Sequence, residues 1–404
     1  MTSNRRAVRL LAAGGLVSSF GDGAATTALA FIVYQRTHSA MLLSVVYLVA
    51  FGVVGFLTPL AGWLADRVDR RRLIIVCELA SAVVFVPVAL ASAPWLLITL
   101  VFFAALLGAP VWPAFAAAIP NLVGETDLSW ANSLLSLTSG IGRTAGPITG
   151  GVLIAIVGGP GVFALDAATF AVIGLCVWLA TGQYEDARDK EVMTESRGFW
   201  IGFRHVAASP ILLPIVAAWT IMWLSVDIAW VADAPLAKQL GVGSVGFGLL
   251  SGLWGVGAVL GGLAGRWLER RHEPPALLSG TIGVTAGFAL VGLAPLFAFV
   301  LLGEALGGFV DSFGAVAGTN LLQRRTADAI RGRVFGAIGA AGLITNVPAF
   351  LLGGVLVGAI GGRGVYLVGG AIALVAAAVM LPGLRALRED LSMIAAVEAT
   401  DEGA

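Results

Sequence analysis

Between Met41 and Leu64 the chain runs for 24 residues without a charge, then places arginines at 67, 70, 71 and 72. Wound as a helix at about 1.5 Å per residue, such a run crosses the roughly 30 Å hydrocarbon layer of a bilayer with some tilt to spare. The sudden arginines mark the end that stays in the cytoplasm. The stretch recurs. Gly62-Trp63-Leu64-Ala65-Asp66-Arg67-Val68-Asp69-Arg70-Arg71-Arg72 aligns with Gly261 to Arg271 at an offset of 199, close to half of the 404 residues.

Composition agrees with a membrane chain. Hydrophobic residues make up 58% and charged residues only 12%, against about 25% charged in soluble domains. A soluble fold would leave a dozen apolar runs with nothing to cover them. Glycine, at 54 residues, suits spanning helices that pack backbone to backbone. Cys77 and Cys176 both fall inside apolar runs, so no disulfide framework is implied. Arg5 and Arg6 ahead of an apolar run imitate a secretion signal, but no cleavage site follows and the run continues through Tyr34. It reads as a first span.

Hydropathy predicts an all-α membrane protein of twelve transmembrane helices, centred near 8–34, 41–64, 73–92, 95–118, 130–157, 161–181, 209–231, 244–266, 276–293, 295–319, 334–360 and 365–384. One long polar connection, 183–204, separates residues 1–182 from 205–384, and 385–404 form a tail. With the N-terminus inside, the inner segments hold twenty Lys and Arg and the outer loops hold three: Arg36, Lys238 and Arg363. That asymmetry puts both termini in the cytoplasm. Arg143 alone lies within a span.

A second internal match supports duplication. Gly150 to Phe163 and Gly353 to Tyr366 share eight of fourteen residues at an offset of 203. Six spans per copy preserve orientation, so the expected build is two six-helix bundles related by a pseudo-two-fold axis along the membrane normal. Transporters of this build place the site near the midplane between halves and rock one half against the other.

These motifs resemble those of the major facilitator superfamily. Its loop between spans two and three reads G-x-x-x-D-R-x-G-R-[RK], matched here by Gly62, Asp66, Arg67, Arg70 and Arg71. Asp69 stands where the family has glycine, and Asp tolerates a left-handed turn better than most residues. Gly142, Gly146, Pro147, Gly150 and Gly151 are similar to the span-five signature of the family's antiporters. Pro113, Pro120-Asn121-Leu122-Val123, Ala131-Asn132-Ser133-Leu134, Ile141-Gly142-Arg143 and Asp166-Ala167-Ala168-Thr169-Phe170 resemble the branch of macrolide efflux proteins and the enterobactin exporter. Span four lacks the arginine that many drug:proton antiporters carry.

Ionisable groups inside a span are costly and are functional candidates by default. The family's cavity is lined chiefly by spans one, four, seven and ten, and Asp22, Glu304 and Asp311 fall on the first and last of these. They are the expected proton-coupling residues, Glu304 foremost; the alternative is a satisfied polar link between helices. Arg143 is an ion partner of Asp22 or Glu304, a contact for an anionic substrate, or a structural residue. Asp166 and Asp227 read as cap or loop contacts near the outer face, and Glu78 as a partner of the inner-loop arginines. Asp66, Arg67, Arg70 and Arg71, with the span-five glycines and Pro147, are expected to gate. Trp112, Trp219, Trp223 and Trp254 line a substrate cavity or simply pack helices.

No phosphate loop, metal-ligand cluster or nucleophile with its base is present, which leaves no expected cofactor, metal, nucleic acid or enzymatic role. The expectation is a monomeric inner-membrane exporter of hydrophobic or amphiphilic small molecules, working by proton antiport. A dedicated siderophore exporter, a lipid or lysolipid transporter and a non-transporting sensor or scaffold are the alternatives.

Overall fold

A computed structural model describes residues 4–52, 57, 60–61, 64, 67–91, 93–182, 184, 199–326 and 328–401. Among them there is no strand. In hydrocarbon a backbone N–H or C=O has no water to turn to, and a helix satisfies both within itself. The helices are α1 (Arg5–Thr37), α2 (Ala40–Tyr47, passing into a π-turn at Leu48–Gly52), α3 (Arg70–Leu90), α4 (Pro94–Gly108), α5 (Val111–Leu179) and α6 (Phe199–Ala208). They continue as α7 (Leu212–Gln239), α8 (Gly243–Gly265), α9 (Glu273–Leu293), α10 (Phe297–Arg325) and α11 (Asp328–Asp401).

Local chemistry sets the ends. Asn4 starts α1 by accepting the Ala7 N–H at 3.1 Å, and His38 stops it in the left-handed conformation at φ 54°. Ser39 caps α2 through Leu42 N at 3.2 Å. Asp69 departs from expectation. Its φ of −49° is not left-handed, and its carboxylate caps α3 by accepting the Arg72 N–H at 2.7 Å.

Nine helices among the described residues are long and apolar enough to cross a membrane. Two of these, Trp130–Leu179 and Val334–Asp390, run to 50 and 57 residues, more than one crossing needs. Each breaks at one glycine. Gly158 has φ 70° and ψ 172°, and Gly361 has φ 70° and ψ 174°. A side chain is strongly disfavoured at such angles. The two glycines stand 203 positions apart, the offset of the internal sequence match, so the repeat carries one backbone geometry twice. A third break, at Gly124, ends the first segment of α5. The second predicted span is described mainly as Ala40–Gly52.

The chain forms two compact units, one of Met1–Thr194 with Asp233–Gly252 and one of Glu195–Ala232 with Leu253–Ala404. In the first, two apolar clusters are stacked along α1. One joins Ala7, Val8 and Leu11 to Leu73, Ile74 and Cys77 of α3 and to Ile173 and Val177 of α5. The other joins Ala24, Ala28 and Leu29 to Val88, Leu97 and Phe163. In the second unit, Val206, Leu212 and Val216 pack with Leu322, Val334 and Ile338.

Candidate functional site

The gap between the two apolar clusters of the first unit is filled by polar side chains. From α1 come Ser18 and Asp22, with Gly21 between them, from α3 Glu78 and Ser81, and from the last segment of α5 Asp166 and Thr169. Ser18, Glu78, Ser81 and Asp166 are buried, Asp166 to 1% exposure. Thr169 Oγ1 lies 2.8 Å from the Asp166 backbone O and 2.9 Å from Asp166 Oδ1. Asp166 Oδ2 has no hydrogen-bond partner. Gly21 abuts Asp166 Oδ1 and Thr169 so closely that no Cβ fits between them. Asp22, one residue on, is exposed. Glu78 lies against the same α5 segment as Asp166, its Cβ facing Gly174.

This arrangement corrects two readings of the sequence. Asp166 is neither a cap nor a loop contact: it sits seven residues into the segment that begins at Gly159, about 10 Å deep by helical rise. Glu78 makes no ion pair among the described residues, and two of the nearby arginines are committed elsewhere. Arg70 Nη1 donates to Ala117 O at 3.2 Å and Tyr184 O at 3.4 Å. Arg71 donates to Val177 O at 3.3 Å and also to Trp178 O, and lies over the Tyr184 ring at 5.9 Å. Val177 and Trp178 close α5, where unpaired carbonyls and the helix dipole both attract a cation. Arg67 is exposed, and Asp66 lies outside the described residues.

The span-five glycines lie on α1. A Cβ at Gly142 would stand 2.7 Å from Ser19 Cβ, one at Gly146 would stand 2.7 Å from Phe20 O, and one at Gly150 would stand 2.7 Å from Ala24 Cα. Gly151 instead meets Gly248 of α8, where a Cβ would stand 3.0 Å from the Gly248 Cα. Pro147 is likewise in contact with both Gly23 and Gly248. Arg143 projects from this packed helix, exposed, and pairs with no carboxylate among the described residues. The ion pair with Asp22 is therefore absent.

In the second unit Glu304 is buried to 4% on α10, and Asp311, two turns on, is half-buried. The neighbouring Gly303 lies against Gly287 of α9, which brings the two helices close at the level of Glu304. The indole rings find glycines: Trp219 covers Gly318, Trp223 covers Gly342, and Trp254 covers Gly307 while lying 5.8 Å from the Phe288 ring. Each indole keeps part of its surface open. Trp112 is 76% exposed. Asp227 is not at a helix end. Its helix runs on to Gln239, and the Asn346 amide, with its nitrogen turned toward Asp227, donates to Oδ2 at 2.8 Å. Asp233, passed over in the sequence and belonging to the first unit, is 2% exposed and accepts from Ser251 at 3.3 Å.

A crevice of about 370 Å³ lined by Phe31, Arg36, Gly158 and Ser244 lies near the ends of α1 and α8, away from these acids. Among the described residues no group of three or more His, Cys, Asp or Glu is placed to hold a metal ion.

Long apolar helices, glycine-lined contacts and acids held at mid-helix define a multi-pass membrane protein. A model of the Major Facilitator Superfamily matches residues 11–271 and 221–397, and the chain belongs to that superfamily of transporters. The enterobactin exporter EntS of Shigella boydii serotype 4 (strain Sb227) is 26% identical over 311 residues, 75% of this chain and 73% of that one. EntS of Escherichia coli O1:K1 / APEC shows the same identity and coverage. Among solved structures, a bacterial homologue of the human lysosomal transporter Spinster superposes with a TM-score of 0.76 at 16% identity, over 96% of this chain and 99% of that one. A bacterial homologue of the iron transporter ferroportin gives 0.71 at 19% identity, over 95% and 100%. These likenesses establish the fold.

Proposed function

We propose that the chain is a secondary active exporter of hydrophobic or amphiphilic small molecules, driven by proton antiport. The reading takes the polypeptide as twelve spans in two six-helix bundles, 1–182 and 205–384, joined by a cytoplasmic linker. The imbalance of twenty Lys and Arg against three orients it with both termini in the cytoplasm of a bacterial inner membrane. Transport proceeds by alternating access as a monomer, with the arginines of the loop after span two and the glycines of span five steering the change of state. Export is favoured by the likeness to proteins named as exporters over three quarters of the chain.

The observation that carries proton coupling is the presence of Asp22, Glu304 and Asp311 at mid-helix depth on α1 and α10. An acid at that depth takes up and releases protons as its surroundings alternate between wet and dry. Glu304, the most buried of the three, is assigned the coupling step. The test uses proteoliposomes with an internal pH dye and a panel of lipophilic cations, macrolides, catecholates and lysolipids. One compound should provoke proton movement in the wild type and none in Glu304→Gln. A compound that equilibrates without proton movement would leave a facilitator whose buried acids are structural.

A dedicated exporter of an anionic siderophore is the second reading. Arg143 favours it: a cation exposed at mid-helix with no carboxylate beside it suits an anionic group of the cargo. Arg143→Gln should weaken transport of catecholates at least tenfold and leave lipophilic cations unaffected, as expected for loss of one charged partner.

A further inference from the structure

The polar layer of the first unit contains more than coupling through Asp22 requires. Asp166 is 1% exposed and Glu78 6%, both at mid-helix, and neither makes an ion pair among the described residues. Opposite them, α1 offers a single titratable side chain between Arg9 and Tyr34, Asp22. On α3 the titratable groups between Arg72 and Leu90 are Cys77 and Glu78; on the last segment of α5 they are Asp166 and Cys176. On the segment of α5 before Gly158, Asp127 is taken by Arg5 at 2.5 Å, and Arg143 is exposed and pairs with none of the three acids. Every charge this layer can develop is therefore negative.

The hydrogen bonds around Asp166 bear on how a proton is held there. The Thr169 hydroxyl carries one hydrogen and has two acceptor oxygens within bonding distance, Asp166 O at 2.8 Å and Asp166 Oδ1 at 2.9 Å. The Asp166 carboxyl therefore receives at most one hydrogen, shared with a backbone carbonyl. Its Oδ2 has no partner, and a bare oxygen is far cheaper on a carboxylic acid than on an ionised carboxylate.

We propose that Asp166, with Glu78, forms a proton-holding site behind α1, filled and emptied through Asp22. Asp22 is exposed and gives access, the two buried acids give storage, and the missing side chain of Gly21 lets α1 come up to Asp166 Oδ1. In the transfer a proton leaves the Asp22 carboxyl and arrives on the buried carboxylate, with no other bond made or broken. The existence of the site is independent of antiport; its use in transport rests on the proton-coupled reading.

Infrared difference spectra of the full-length protein in lipid, titrated with pH and exchanged into D2O, test it. The wild type should show a carboxylic-acid C=O band that shifts on exchange. Asp166→Asn should remove it, and Thr169→Val, which leaves the acid but takes its partner, should move it to higher frequency. Asp22→Asn should keep the band and slow its exchange by roughly 100-fold, the low end of what a positioned proton relay contributes. A wild-type spectrum without such a band, a band untouched by Asp166→Asn and Thr169→Val, or exchange unchanged in Asp22→Asn would overturn the proposal. If the bands behave as expected while no substrate moves protons in proteoliposomes, the antiport reading falls and the proton site stands. If substrate moves protons and the bands do not respond to these variants, the reverse holds.

Discussion

At the scale of single residues, the sequence marks which groups are costly but not how deep they lie or which way they face. Asp166 illustrates the gap. Its depth depends on where its helix starts, and one glycine at 158 decides that. Its burial depends on α1 presenting Gly21 on the facing turn. Glu78 was open to misreading for a related reason: four arginines stand close by in sequence, yet Arg70 serves the carbonyls of Ala117 and Tyr184, and Arg71 serves those of Val177 and Trp178. The tryptophans were ambiguous because the glycines they cover lie on other helices, at 307, 318 and 342. Arg71→Ala should therefore lower thermal stability by about 1.5–3 kcal/mol, the usual worth of hydrogen bonds from a charged donor, with partial recovery in Arg71→Lys. Thermal unfolding followed by tryptophan fluorescence measures this; an unchanged midpoint in Arg71→Ala would remove the capping role.

Elements were far easier to read than residues. The apolar runs predicted where helices lie because a bilayer tolerates little else, and the breaks after 118–130 and 157–161 fall at Gly124 and Gly158. What hydropathy cannot report is which faces meet, since lipid and protein interior are equally apolar. The glycine spacing of span five supplied part of that, and α1 proves to be its partner. Gly146→Ala would set a methyl group 2.7 Å from Phe20 O and 2.9 Å from Gly23 Cα, both backbone atoms that cannot turn aside. We expect the variant to insert in the membrane but to lose transport in the proteoliposome assay. At Gly158 and Gly361, substitution by alanine forces a side chain into a positive-φ, extended-ψ conformation reserved to glycine, at about 1–3 kcal/mol each. The two losses should add in the double variant to within about 0.5 kcal/mol, as for distant sites. Calorimetry in detergent would show a shortfall if the two breaks belonged to one cooperative strain.

For the whole molecule, orientation is a matter of charge counting, and it is open to direct measurement. In a background without Cys77 and Cys176, a cysteine at Lys238 should react with a membrane-impermeant maleimide on intact cells. One at Arg266 or Arg388 should react only after permeabilisation; the opposite pattern would invert the assignment. Two pairs of segments match in sequence at offsets of 199 and 203, and at the second offset they share the glycine break. That break has a consequence for how such a chain can change. At Gly158 and Gly361 one helical segment gives way to the next across a single residue, so no connecting loop exists to absorb a length difference. One added residue would turn the following segment by roughly 100° and carry its inward face around to the lipid. Across these two corners the protein can vary in composition, but insertions and deletions are confined to places where a loop intervenes.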